Sequence, residues 1–157
     1  MTRPETTLIL WSAGFDELTA AVFVTILRKA GLQTRLVGLP CIPTPGVNGL
    51  VLTPDMTLEQ AIALAEHVSA IIAPASASAL RRLSDDPRVC ALIARAARRG
   101  AVLVTGADAA STLSALVSSE GEEKAAHMIV YNDYLALVEF ASRLAERLAA
   151  PNAIVPD

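Results

Sequence analysis

The chain has 157 residues, a length that sets the expectation of one domain, 1–157, with a real hydrophobic core. Its residues are 53% hydrophobic and 18% charged, against roughly 25% charged in an average soluble chain, so self-association is expected to hide part of the apolar surface. A net charge of -3 and an aromatic content of 4% argue against nucleic-acid binding, which needs basic patches and stacking platforms.

The opening "MTRPETTLIL" has too short an apolar run for a signal peptide before Trp11 and Gly14 interrupt it. "TTLILWS" (6–12) reads as a parallel strand covered on both faces. "DELTAAVFVTILRKAG" (16–31) is a helix with acids in its first turn and Lys29 and Gly31 at its end. Leu18, Val22 and Ile26 recur at helical spacing on one of its faces. The apolar run "AAVFVTIL" is too short to span a membrane, and no membrane association is expected.

"QTRLVGL" (33–39) is a second strand, and "PCIPTPGVNG" (40–49), with three prolines and two glycines, is a loop. "LVLTPD" (50–55) is a short strand. Thr57 and Gln60 then form a capping-box pattern at the start of "TLEQAIALAEH" (57–67). "VSAIIAP" (68–74) is another buried strand. Two helices follow, "ASASALRRLS" (75–84) and "DPRVCALIARAARRG" (86–100), the second with Pro87 at its start and Gly100 at its stop. "AVLVT" (101–105) is a strand, and "DAASTLSALVSS" (108–119) the helix after it. "EGEEKAA" (120–126) is a charged loop, "HMIVY" (127–131) a final strand and "NDYLALVEFASRLAERLAA" (132–150) a closing helix. The tail "PNAIVPD" (151–157) is expected to fray. This alternation predicts a doubly wound α/β fold with a mainly parallel sheet and helices on both faces.

The order of these segments resembles the ThiJ/PfpI family of the class I glutamine amidotransferase-like superfamily. The resemblance rests on "LILWSAGFDELTAAVFVTILRKAGLQTRLVGL", "TPDMTLEQA" and "SAIIAPASASALRRLSDDPRVCALIARAARRGAVLVTGADAASTL". It covers roughly residues 6 to 116, and the closing helix resembles the family's last helix. It implies a flavodoxin-like fold and an intracellular protease, amidase or glyoxalase type of chemistry built on a cysteine. The family's Pro-Gly-Gly strand end falls on Pro74-Ala75-Ser76, its nucleophile on Gly106, and its supporting acid on Thr19, with Asp16 and Glu17 too early in the register. The stretch between Leu116 and His127 is also shorter than the family's. Thiolate catalysis needs a nucleophile, a group that tunes it and donors for developing charge. Two of these are replaced here and the third is altered, so the nucleophile elbow is expected to be present and empty.

The leading expectation is therefore a non-catalytic homodimer with a binding, regulatory or scaffold role, no cofactor and no catalytic residues. Its pocket would be formed by Thr19, Ala75, Ser76, Gly106, Ala107 and Asp108. One alternative is an enzyme with displaced chemistry at Ser76, Asp108 or Cys41; another is a sensor holding an unknown small molecule in the vacated pocket. Asp108 reads as a helix cap, and Asp16 and Glu17 as acids facing the helix dipole. Cys90 reads as a packed thiol; Cys41, in the loop, reads as accessible. The two cysteines form no metal or redox motif, which suits a reducing cytoplasm, and His67 and His127 have no partners at ligand spacing, so no metal is expected. Ser78 and Ser111 stand in no nucleophile motif, and Trp11 reads as core or interface. In the dimer, Phe23 of the first helix (16–30) or the closing helix (132–149) would meet the partner.

Overall fold

The computed structural model describes residues 5–118 and 126–150. The tail at 151–157 lies outside the described residues, as does the loop at 120–126 apart from Ala126 and most of the stretch between Leu116 and His127.

Six parallel strands form one sheet. β1 (Thr6–Trp11) and β2 (Gln33–Gly38) are followed by a small antiparallel hairpin of β3 (Thr44–Pro45) and β4 (Val51–Leu52), then by a two-residue edge strand, β5 (Met56–Thr57). β6 (Val68–Ala73), β7 (Val102–Gly106) and β8 (Met128–Tyr131) complete the sheet in the order β5-β2-β1-β6-β7-β8. Every residue of β1 is buried, as a continuous apolar run in a doubly covered sheet should be. Its register aligns Thr6 with Gln33 and Trp11 with Gly38.

The helices are α1 (Glu17–Lys29), α2 (Leu58–Ala63), α3 (Ala77–Leu83), α4 (Pro87–Arg98), α5 (Ala110–Ser118) and α6 (Leu137–Ala149). α1 packs on α6 over one face of the sheet; α2, α3, α4 and α5 pack together over the other. The caps follow the sequence: Asp16 accepts from Leu18 and Thr19 amides, Thr57 and Gln60 complete their box, and Asp86 caps α4 ahead of Pro87. Among the described residues no helix is long and apolar enough to cross a membrane.

Several expectations are corrected. The segment 40–49 contains β3, because even a strand bearing Pro45 fits the edge of a two-residue hairpin. The helix expected over 57–67 breaks into α2 and a 3-10 turn at Ala65–His67, and α6 starts only at Leu137. The core-facing stripe of α1 is Thr19, Ala20, Phe23 and Leu27, whereas Leu18 is 55% exposed. Phe23 does not face a partner subunit: it is fully buried, with its ring 5.8 Å from Tyr131 and 6.0 Å from Phe140. α1 is apolar around a wide arc, and the bulkiest side chain on it took the side with the deepest contacts. Trp11 belongs to the core, donating its Nε1 hydrogen to the Thr44 carbonyl at 3.2 Å.

Candidate functional site

After β1 the chain leaves the centre of the sheet in one direction, through β2 to the β5 edge; from β6 it proceeds in the other. The crevice beyond the carboxyl ends of β1 and β6 is therefore the switch point where this architecture binds ligands. A cleft of about 410 Å³ opens there. It is lined by the turn after β1 (Gly14, Asp16), the end of β6 (Pro74, Ala75, Ser76), the end of β7 (Gly106, Ala107, Asp108) and the end of β8 (Tyr131 to Tyr134), with Val47 of the hairpin at its edge. Five of the six pocket residues expected from sequence line this cleft; Thr19 lies fully buried in the adjoining core.

Gly106 is the last residue of β7, paired with Tyr131 of β8. Its φ of -72° and ψ of 158° are those of ordinary extended chain. A nucleophile elbow forces its residue into a sharp, strained turn. The expectation of an empty elbow is thus corrected: β7 runs one residue further than its apolar run implies and the backbone turns without strain. A Cβ at position 106 would stand 3.2 Å from Tyr131 Cε2 and 3.1 Å from Asp108 Oδ1, tighter than ordinary contact. The ring edge of Tyr131 occupies that side of the strand end, held in a three-ring cluster with Phe23 and Phe140.

The two acids at the start of α1 have different tasks. Asp16 Oδ1 caps the helix, while Oδ2 accepts the Tyr134 hydroxyl at 2.5 Å across the mouth of the cleft. That bond to a carboxylate is the main reason the Tyr134 phenol is pushed up to about 12, since ionising it would set two negative charges together. Glu17 is 4% exposed and points the other way. Its carboxylate accepts from the Asn48 amide at 3.0 Å, the Asn48 side chain at 2.8 Å and the Leu50 amide at 3.1 Å. Burial pushes its pKa up, but these hydrogen bonds outweigh it and hold the carboxyl below its usual range. Glu17 thus ties the hairpin wall to α1 and is not free to act on a ligand.

The other candidates are equally specific. Ser76 Oγ accepts from the Ala79 amide and caps α3. The Ala75 amide already bonds the Ala73 carbonyl at 2.9 Å, so the turn corresponding to an oxyanion hole does not offer that donor. Asp108 lies inside a 3-10 turn, Ala107–Ala109, rather than at its cap, because Gly106 holds the cap position. Cys90 is buried as expected, and exposed Cys41 lines a separate cleft. His127 pairs with Arg147 at 2.7 Å.

Tyr131, Tyr134 and Asp133 were missed by sequence reasoning. The usable signal was register: the last strand ends on Tyr131, and whatever ends that strand stands beside Gly106. The Tyr131 phenol is pushed above its usual range first by burial, then by the charges of Tyr134, Asp16 and Asp108. Thr19 is fully buried and its Oγ1 has no hydrogen-bond partner. It lies near both phenols and opposes their rise. An unsatisfied buried hydroxyl costs about 1–3 kcal/mol.

No family profile and no curated protein matches the sequence. Solved structures do match its fold. Drosophila melanogaster DJ-1beta superposes with a TM-score of 0.76 at 17% identity, covering 99% of this chain and 100% of that one. A mutant of a DJ-1 superfamily protein from Salmonella typhimurium gives a TM-score of 0.75 at 18% identity, covering 95% and 92%. A ThiJ/PfpI domain protein from Brachyspira murdochii gives 0.69 at 12% identity, covering 93% and 96%. The chain has the DJ-1/ThiJ/PfpI fold, the flavodoxin-like fold of the class I glutamine amidotransferase-like proteins.

Proposed function

We propose that this chain is a non-catalytic relative of the DJ-1/ThiJ/PfpI proteins that has turned their strand-end crevice into a small-molecule binding site. One observation carries the reading. At the end of β7, where the resemblance puts a nucleophile, Gly106 sits in unstrained extended chain with the Tyr131 ring edge against it. Neither neighbouring group supplies the chemistry instead, since Ser76 is a helix cap and Glu17 is consumed by the hairpin. The cleft nonetheless remains, at the switch point and with polar groups converging on it. The test is turnover of α-oxoaldehyde, amide and peptide substrates by the purified full chain. Rates at background are expected. Turnover that disappears in Asp108→Ala or Ser76→Ala would overturn the reading in favour of an enzyme with displaced chemistry.

The same reading includes a homodimer. Leu18, Tyr134, Leu135 and Val138 are all more than half exposed around the start of α1 and α6, with Leu135 at 95%. Covering such residues is what an isologous interface does. Sedimentation across a dilution series should show a dimer at micromolar concentration that Leu135→Asp with Val138→Asp weakens. A wild-type monomer at that concentration removes the dimer.

A further inference from the structure

One edge of the sheet is only half covered by strand. β5 pairs with β2 at Val37 and Gly38 alone. Residues 33–36 of β2 thus have β1 on one side and, among the described residues, no strand on the other. Leu36 turns its backbone groups outward to meet Asp55, and Thr34, two residues back, turns the same way. A bare row of such groups is a template for another chain. Here the row is filled by side chains. The Thr34 carbonyl accepts from Arg28 Nε at 3.2 Å and Nη2 at 3.0 Å. The Leu36 amide donates to Asp55 Oδ2 at 2.8 Å, and its carbonyl accepts from the Asp55 amide at 2.8 Å. Arg28 Nη2 then joins the array by donating to the same Oδ2 at 2.7 Å. A guanidinium donates where a neighbouring strand would offer an N–H, and a carboxylate accepts where it would offer a C=O.

The ordinary reasons for such a pair do not account for this arrangement. Arg28 lies in the last turn of α1, where any cation suits the helix dipole. An ion pair whose side chains are 45% and 30% exposed adds little stability. Neither reason directs both groups at the backbone of β2. The space beside that backbone is open on both faces of the sheet. A cleft of about 250 Å³ on the α1 face is lined by Arg28, Leu36 and Asp55. Another of about 490 Å³ on the α2 face is lined by Gln33, Asp55 and Gln60. The pair bars the slot between them. The chain best matched to that slot is the same edge of a second copy, because two β2 edges related by a twofold axis would pair antiparallel and satisfy one another.

We propose that Arg28 and Asp55 act as a side-chain strand that closes the β2 edge against the β2 edge of a second copy. The proposal goes beyond the small-molecule reading and depends neither on it nor on the dimer argued from Leu18, Tyr134, Leu135 and Val138. Sedimentation velocity and amide hydrogen exchange of the full ¹⁵N-labelled chain, each across a concentration series, test it in Arg28→Leu with Asp55→Ala. At equal concentration the double variant should form a species heavier than the wild type, and its share should grow as the protein is concentrated. Exchange at the Thr34 and Leu36 amides should slow as that species forms, whereas in the wild type it should not change with concentration. A folded double variant, checked by circular dichroism, that sediments as the wild type does would overturn the proposal. So would a heavier species that leaves exchange at Thr34 and Leu36 unchanged, because the association would then use another surface. If the double variant does not fold, Arg28→Leu alone is read in the same way, with a smaller shift expected because both Asp55 bonds to Leu36 remain.

Discussion

Two clefts open at the carboxyl end of this sheet, and the larger one is chemically the less focused. It measures about 790 Å³ and runs from the end of β2 to α3 and α4, with exposed Cys41 on its wall. Its charges are mixed. Arg88 bonds Asp86 at 2.9 Å and reaches Glu59 at 3.7 Å, so acids and bases neutralise one another on solvated side chains. The smaller cleft is lined by the buried Tyr131 ring, which Phe23 and half-buried Phe140 back from behind, and by Asp16, Asp108 and Asp133. Volume alone does not single out a site; side chains held fixed by their neighbours and converging on a cleft are the more discriminating feature.

The largest expected effect tests whether the small cleft is built on the core. Phe23→Ala removes the ring that Tyr131 and Phe140 both lean on, at a position with no exposure. Truncating a buried Phe costs about 3–5 kcal/mol, which should lower the melting temperature by about 10 °C or more. Arg88→Ala in the larger cleft breaks only surface pairs and should leave melting nearly unchanged. Comparable losses in the two variants, read by calorimetry, would break the contrast between a core-built and a surface-built cleft.

A smaller effect is expected at the hairpin wall. A Cβ on Gly46 would overlap the Glu17 carboxylate and stand 2.8 Å from the Phe15 carbonyl oxygen, so glycine is needed here for close approach rather than for an unusual φ. Gly46→Ala should destabilise by about 1–3 kcal/mol, and the part of that loss due to the carboxylate should disappear in a Glu17→Ala background, where the Phe15 carbonyl contact alone remains. The Glu17 pKa is lowered in the folded state, so its stabilisation is present above the ordinary value of 4.5 and lost as pH falls below it. Equal Gly46→Ala losses in both backgrounds would mean that Glu17 does not set the wall.

These residues also show what was legible from sequence. β1, β2, β6, β7 and β8 were visible because buried parallel strands are apolar runs, and the Thr57–Gln60 box was visible from its spacing, whereas Asp16, read as a first-turn acid, and Asp86 turn out to be caps. Of the hairpin only β4 was, inside the strand expected at 50–55; β3 was not, since a two-residue strand among prolines and glycines leaves no periodic trace. The face of α1 was misread because Leu18, Val22 and Ile26 keep helical spacing as well as Ala20, Phe23 and Leu27 do; only tertiary contact chooses between them. At the site, Gly106, Ala107 and Asp108 were legible at the end of an apolar strand, but the acid rim and paired phenols were not. They come from three separate segments, and only the register of β8 against β7 brings Tyr131 to Gly106.

The smallest expected effect concerns the bond across the mouth of the acid cleft. The chain has only two tyrosines, Tyr131 and Tyr134, so tyrosinate absorbance reports on this cleft and nothing else. Both phenols should ionise above the ordinary value of 10, Tyr134 near 12 because it donates to Asp16, and Tyr131 chiefly because it is buried. A folded-state pKa raised above the unfolded value favours the neutral form. The resulting stabilisation is complete below pH 10 and is lost as pH rises through the folded value. Asp16→Asn is the useful variant, because asparagine caps a helix about as well as aspartate while it removes the charge. It should bring the Tyr134 midpoint down toward 10 and lower that of Tyr131 less, since burial remains. If neither midpoint moves, Tyr134 does not hold Asp16 in solution, and the carboxylate, still capping α1 through Oδ1, turns an unshared Oδ2 toward the cleft.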